Sequence, residues 1–473
     1  MGQGPPTRQL FPAAAGQKLR YLLPTGRRAI LADSPLSNIH QSGARLSDFT
    51  PQRLFGGAAE GSWHEEFLER ARLERERGDP EASRGALAGY LIARLIERAL
   101  DGSETEEEQQ AFAWQLDSAR RYVTELEDRG PEARHLEGIL EALRTADGAC
   151  TSPVRIALNA FAYFLENEGR LAEALDVLGL AARTHGASIP AGDFASVALV
   201  AGRLNRLQAR FDAATAAYVA AEEGALAVDD PNARLISRLG RAQVMRAQGN
   251  LPLARTTVEQ VIAEARASEL GDVLSRAYTD LAAVLALQGH RLEALQANYD
   301  AFRLAHDAVS RMRILGDLGV KLAELGFCDM ARFAFEIVVS SNTSFIVKTN
   351  ARLELMELES TLGNRVAFER QRAELRDAAP RMPPSMTIDF RYKTGVGLAR
   401  FGQVVRAREV WADGLRLAEA HHLNEWYFRL ERLSANLDGC ALAQPPKPEP
   451  AAPPSAIADL AAGLRAYAEA APA

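Results

Sequence analysis

From about residue 153 to 437, apolar positions recur at the three-to-four spacing of amphipathic helices, and single turn residues divide the helical stretches into pairs. One window recurs seven times, a turn residue followed five positions later by a small or apolar one. The pairs are Gly169/Ala174, Ala209/Ala214, Gly249/Ala254, Gly289/Ala294, Gly326/Ala331, Gly363/Phe368 and Gly402/Ala407. Successive intervals are 40, 40, 40, 37, 37 and 39 residues. A fixed period of this size predicts stacked helical hairpins, in which each unit buries its face only against its neighbours. The expected fold is all-α, a solenoid of about seven hairpins over residues 151–440.

The fourth unit is the clearest, Tyr278 to Phe302. Leu281, Ala282 and Leu285 share one face of its first helix, and Gly289 ends that helix, where a left-handed residue is nearly free only for glycine. Ala294 falls where the two helices cross, with Leu295, Asn298 and Ala301 around it. The fifth unit repeats the scheme with Leu318, Gly319, Leu322, Gly326, Ala331 and Phe335. The seventh uses Gly395, Leu398, Gly402, Ala407 and Trp411. In the sixth, Phe368 stands in the place of the alanine.

These residues resemble the tetratricopeptide repeat, with its Leu-Gly pair, turn glycine, alanine five residues on and following aromatic. The resemblance covers about 285 residues and seven units. It implies a right-handed solenoid that binds a protein or peptide along the concave face formed by the first helix of each unit. The family's period is about 34 residues, so the units here are longer, and the proline that commonly closes each unit is mostly absent. Units of around 40 residues are similar to those of bacterial sensor and regulator proteins.

The flanks differ in character. Residues 1–60 hold six prolines and seven glycines without a helical period, and read as an irregular or disordered arm with a short hairpin over 19–32. Helices are expected at about 63–77, 81–101, 105–129 and 131–146, within an N-terminal helical region over 61–150 that consists of degenerate repeats or a bundle. Residues 441–454 read as a proline-rich linker. Residues 455–473 read as a short helix with Ile457, Leu460, Leu464 and Tyr467 on one stripe, a candidate to fold back on the solenoid.

The net charge of −7 and pI near 5.8 argue against nucleic acid as the main partner. The arm is the basic exception, with seven Lys/Arg against three Asp/Glu. Cys150, Cys328 and Cys440 are widely spaced and odd in number, so no disulfide framework or metal cluster follows from them. No apolar run is long enough to cross a bilayer, and the N-terminus lacks a signal-peptide pattern. A cytoplasmic protein with no membrane partner is the expectation.

Catalytic motifs are not found, so no enzyme activity, cofactor or metal is expected. GGAAEGS at 56–62 lacks the lysine of a phosphate loop, and GVGLARFG at 395–402 lies inside a repeat helix. His421 and His422 are adjacent and point about 100° apart on a helix, which suits no shared metal. What remains is the concave surface. Register from each turn residue places Asn159, Tyr163, Arg203, Arg206, Gln243, Arg246, Arg276, Thr279, Arg313, Asn350 and Tyr392 on it. Arginines hold carboxylates bidentately and amide side chains pair with peptide backbone. The predicted ligand is therefore an acidic or carboxylate-bearing peptide or protein segment. The alternative is a peptide-responsive regulator of the bacterial type, acting through a partner protein.

Overall fold

The computed structural model describes residues 49–55, 64–76, 78–102, 105–126, 130–146, 150–379, 382, 384–420, 423–436 and 462–463. Every regular element among them is helical. Five helices come first: α1 (Pro51–Phe55), α2 (Glu65–Glu76), α3 (Pro80–Asp101), α4 (Glu106–Thr124) and α5 (Pro131–Thr145). Their starts are set locally. Asp79 caps α3 by accepting from the Ala82 amide at 2.9 Å, with Pro80 at the first helical position. Thr105 and Glu108 form a reciprocal capping box at α4.

Seven hairpins follow, each a pair of consecutive helices. The pairs are α6 (Ser152–Asn167) with α7 (Leu171–Arg183), α8 (Ala191–Leu207) with α9 (Phe211–Ala227), and α10 (Pro231–Ala247) with α11 (Leu251–Ala267). Next come α12 (Gly271–Leu287) with α13 (Arg291–Leu304), and α14 (Ala308–Glu324) with α15 (Cys328–Ser340). The last are α16 (Phe345–Thr361) with α17 (Arg365–Ala378) and α18 (Pro384–Arg400) with α19 (Val404–Ala420). A further helix, α20 (Asn424–Asn436), packs on α19.

All seven turn residues have positive φ, from 58° at Ala209 to 84° at Gly289 and Gly326. In each turn the following amide reaches back five residues, as Arg170 N to Leu165 O and His290 N to Leu285 O, both 2.9 Å. This closes the carbonyls left open at the helix end. The residue five positions on is fully buried in every unit, from Ala174 to Ala407 and including Phe368. The methyl group lets two helices meet closely, and at Phe368 the space comes from elsewhere. A Cβ on Gly397 of α18 would stand 2.2 Å from the Phe368 ring. The same exchange of bulk for glycine seats Tyr218 against Gly202 and Gly240, Phe335 against Gly319, and Trp411 against Gly395. The GVGLARFG glycines are therefore packing positions.

The stack is joined to the N-terminal helices by buried polar contacts. Arg170 holds Glu173 and Glu132 at 2.5 Å each, tying α5 to the first hairpin. His64, fully buried with φ 77°, lies between Asp176 (2.5 Å) and Glu97 (3.6 Å).

In the stretch read as an irregular arm, residues 49–55 are packed. Phe49 is 1% exposed and stacks on Phe194 with ring centroids 4.9 Å apart. The cause is tertiary, since a buried aromatic and a main-chain bond from Ile189 N to Phe49 O anchor a segment that has no helical period. The 19–32 hairpin, the proline-rich linker and the His421-His422 pair lie outside the described residues. Of the C-terminal helix, only Ala462 and Gly463 are described. Both are helical, and Gly463 lies directly against Tyr299 of α13.

Candidate functional site: a groove walled by the first helices

A cavity of about 1470 Å³ runs along the inner face. Its lining comes from α3, α5, α6, α8, α10, α12, α14 and α16, with Tyr218 the one contribution from a second helix of a hairpin. The stacking geometry dictates this. Second helices pack outward behind the first, and the inner face is left to side chains that no neighbour covers.

Seven of the eleven residues expected on the concave face line this cavity: Tyr163, Arg203, Arg206, Gln243, Arg276, Thr279 and Arg313. They are not equivalent. Arg203 is held by both oxygens of Glu166 at 2.6 Å, a bidentate pair within the protein. Arg206 lies within hydrogen-bonding reach of the Tyr218 hydroxyl, whose pKa burial raises and Arg206 pulls back. Gln243 donates to both oxygens of Asp280, at 2.9 and 3.1 Å. Thr279 bonds the Ser275 carbonyl at 3.0 Å. Arg276 and Arg313 are exposed in the groove and make no hydrogen bond or salt bridge with a described residue.

Four expected residues are outside the cavity wall. Asn159 and Asn350 are exposed elsewhere on α6 and α16. Arg246 is one turn beyond Gln243 and acts on Asp280 electrostatically. Tyr392 is drawn into the last hairpins, its carbonyl accepting from Trp411 Nε1 at 3.1 Å and its ring packed against Trp426 and Arg429. Register from the turn fixes which side of a helix a residue occupies. It does not say which neighbouring helix has already engaged it.

Sequence reasoning missed Asp280, and with it the acid at the centre of the groove. Burial pushes its carboxyl upward, against the Gln243 hydrogen bond and the pull of Arg246, Arg206 and Arg313. Its signal was present, four residues after Arg276 on the same face. Also missed were Asp79, Glu81 and the Gly130–Ala133 stretch, which bring the N-terminal helices into the same wall.

Beyond the cavity, α16 and α18 carry a tight polar cluster. Lys393 is 6% exposed and contacts Glu354 (2.5 Å), Asp389 (3.0 Å) and Glu357 (3.7 Å). Burial works against its charge, but the three carboxylates outweigh it and hold the ammonium above its usual pKa. The two described cysteines are poor nucleophiles, with burial pushing the Cys150 thiol up to about 11 and raising Cys328 as well. Among the described residues no group of three or more His, Cys, Asp or Glu is placed to hold a metal. No helix among them is long and apolar enough to cross a membrane.

Seven hairpins with left-handed turns and a buried residue five positions on define a tetratricopeptide-like helical repeat protein, an α-solenoid with a walled inner groove. No protein-family description and no curated protein matches the chain. Similar solved structures include a Rap protein complexed with competence and sporulation factor, at TM-score 0.40 and 12% identity over 76% of this chain and 99% of that one. Another is the Rap conjugation gene regulator of plasmid pLS20 with the Phr* peptide, at TM-score 0.42 and 12% identity over 71% and 97%. The apo form of RapI gives TM-score 0.39 and 10% identity over 74% and 97%. Likeness at this level carries no argument about what this chain binds.

Proposed function

We propose that this chain is a non-enzymatic binding module that captures a short carboxylate-bearing peptide, or the tail of a protein, in the inner groove. The observation that carries the reading is the state of Arg276 and Arg313. Two exposed guanidinium groups line one cavity with no hydrogen bond or salt bridge to a described carboxylate, while Arg203 is held bidentately by Glu166. An exposed guanidinium holds only water until a ligand arrives, and a carboxylate satisfies its planar fork bidentately. The 1470 Å³ volume exceeds the roughly 300–1,000 Å³ of small-molecule sites and suits an extended peptide. Gln243 keeps its carbonyl oxygen and Thr279 its hydroxyl lone pairs to accept from the peptide backbone.

A second reading, that the protein is a peptide-responsive regulator acting through a partner, is favoured by one observation. The α3 and α5 residues Asp79, Glu81 and Glu132 line the same cavity as the repeats. A ligand there touches both parts, so its binding energy bears on their packing. A cytoplasmic location and a bacterial source accord with either reading.

The test is retention of a random hexapeptide library with free C-termini by the full chain. Wild type retains peptides, and Arg276→Glu/Arg313→Glu loses them with an unchanged far-ultraviolet dichroism spectrum. Arg203→Gln retains them, because Glu166 already occupies that side chain. Equal retention by the double variant rejects the groove.

A further inference from the structure

The inner helices of the last four hairpins share a register that pairs charges within each helix. Thirteen residues before the turn glycine stand Arg276, Arg313, Asn350 and Asp389, and nine before it stand Asp280, Asp317, Glu354 and Lys393. Each pair is (i, i+4), so both members share one face of their helix, about 6 Å apart along its axis. Stacking the hairpins sets these pairs side by side as two parallel rows.

The second row runs Asp280, Asp317, Glu354, Lys393, three carboxylates followed by one ammonium. Neighbouring carboxylates repel, so each needs a counter-charge or a donor. Asp280 has Gln243, and Glu354 has Lys393. Asp317 makes no hydrogen bond or salt bridge with a described residue, and its support is the longer-range charge of Arg313 and Lys321. Its side chain is exposed on the same face of α14 as Arg313, one turn beyond the cavity lining. Partial desolvation by the surrounding helices and the nearby Glu354 raise its pKa, against the pull of Arg313 and Lys321. One turn away, Arg313 and its row neighbour Arg276 are exposed and make no salt bridge with a described residue, although Arg313 acts at longer range on Asp317 and Asp280. The inner face therefore presents two guanidinium groups open to an anion and, about one helical turn off, a carboxylate open to a cation.

We infer that Arg276, Arg313 and Asp317 form a two-charge subsite that reads a peptide's C-terminal carboxylate together with a basic side chain in its last two residues. This rests on the peptide-binding reading and narrows it to a ligand class. The carboxylate bridges Arg276 and Arg313, and the lysine or arginine reaches back to Asp317. A purely acidic peptide satisfies the arginines and sets a further negative charge against Asp317 and Glu354, so it is selected against. The spacing fits a side chain near the terminus better than an α-ammonium, which lies too close to its own carboxylate.

The test uses two random hexapeptide libraries, one with free C-termini and one C-terminally amidated, with retained peptides sequenced by mass spectrometry. Wild type is expected to enrich Lys or Arg at the last two positions about tenfold from the free-acid library, the worth of one charge-assisted contact, and to lose that enrichment with amides. Asp317→Asn keeps the free-acid requirement and loses the basic preference, which also shows that the variant is folded. Asp317→Lys shifts the preference to Asp or Glu. Retained free-acid peptides without a basic preference, or an unchanged preference in Asp317→Asn, overturn the subsite and leave groove binding standing. No retention from either library overturns both.

Discussion

The Gln243 amide on α10 donates to both carboxylate oxygens of Asp280 on α12, at 2.9 and 3.1 Å, across the inner face between two successive hairpins. Three arginines act on the same carboxylate, yet burial still raises its pKa. The charge at Asp280 is thus held at a cost to the fold.

That cost has a pH signature. A carboxyl whose folded pKa is raised binds protons more readily folded than unfolded. Its contribution to stability therefore improves as pH falls through the folded value and levels off below the unfolded value, near 4. Asp280→Asn keeps a partner for Gln243 and removes the buried charge. Its urea midpoint should exceed that of wild type at pH 7.5, and the gap should close toward pH 4. A gap that widens on acidification counts against this account.

Ala209 holds a left-handed turn, φ 58°, that glycine fills in the other six units. An L-residue pays about 1–2 kcal/mol there. Ala209→Gly should stabilise the second hairpin by about 1 kcal/mol, read as slower amide exchange in α8 and α9.

Phe368 and Gly397 are one packing decision spread over two repeats. Gly397→Ala should cost about 1–3 kcal/mol by overpacking, and Phe368→Ala about 3–5 kcal/mol by opening a cavity. The double variant should lose clearly less than the sum, because the added methyl enters the space the ring leaves. Strict additivity in denaturant melts would mean the two do not share that space.

Arg170 and Glu173 are both nearly enclosed, at 7% and 5% side-chain exposure, with Glu132 of α5 as the third member. Arg170→Ala strands the buried Glu173 and should cost about 3–5 kcal/mol, whereas Arg170→Met/Glu173→Leu should recover most of it. Limited proteolysis between α5 and α6 is the readout. Rapid cleavage in the first variant and protection in the second are expected.

The sequence by itself determined the repeat. Seven turn residues and the small residue five positions after each are local requirements, one of backbone conformation and one of helix-crossing distance. Both could be read before any neighbour was known, and the turns and buried positions fall in those places. Even Phe368 announced itself as an exception, though its compensation by Gly397 lay 29 positions away. Register also brought seven candidate residues to one cavity, because the side of a helix that faces inward follows from its distance to the turn.

Only the tertiary structure decided which of them are free. Arg203 and Arg276 look alike in the sequence, but Glu166 reaches Arg203 from a helix one hairpin earlier, and no described carboxylate makes a salt bridge with Arg276. Pairing between side chains on different helices depends on stacking offset and reach, quantities that a period of 37 to 40 residues does not contain. The same holds for Phe49, whose burial came from Phe194 far along the chain. Periodicity records what each helix needs from its neighbours, and the packed stack settles which side chain supplies it.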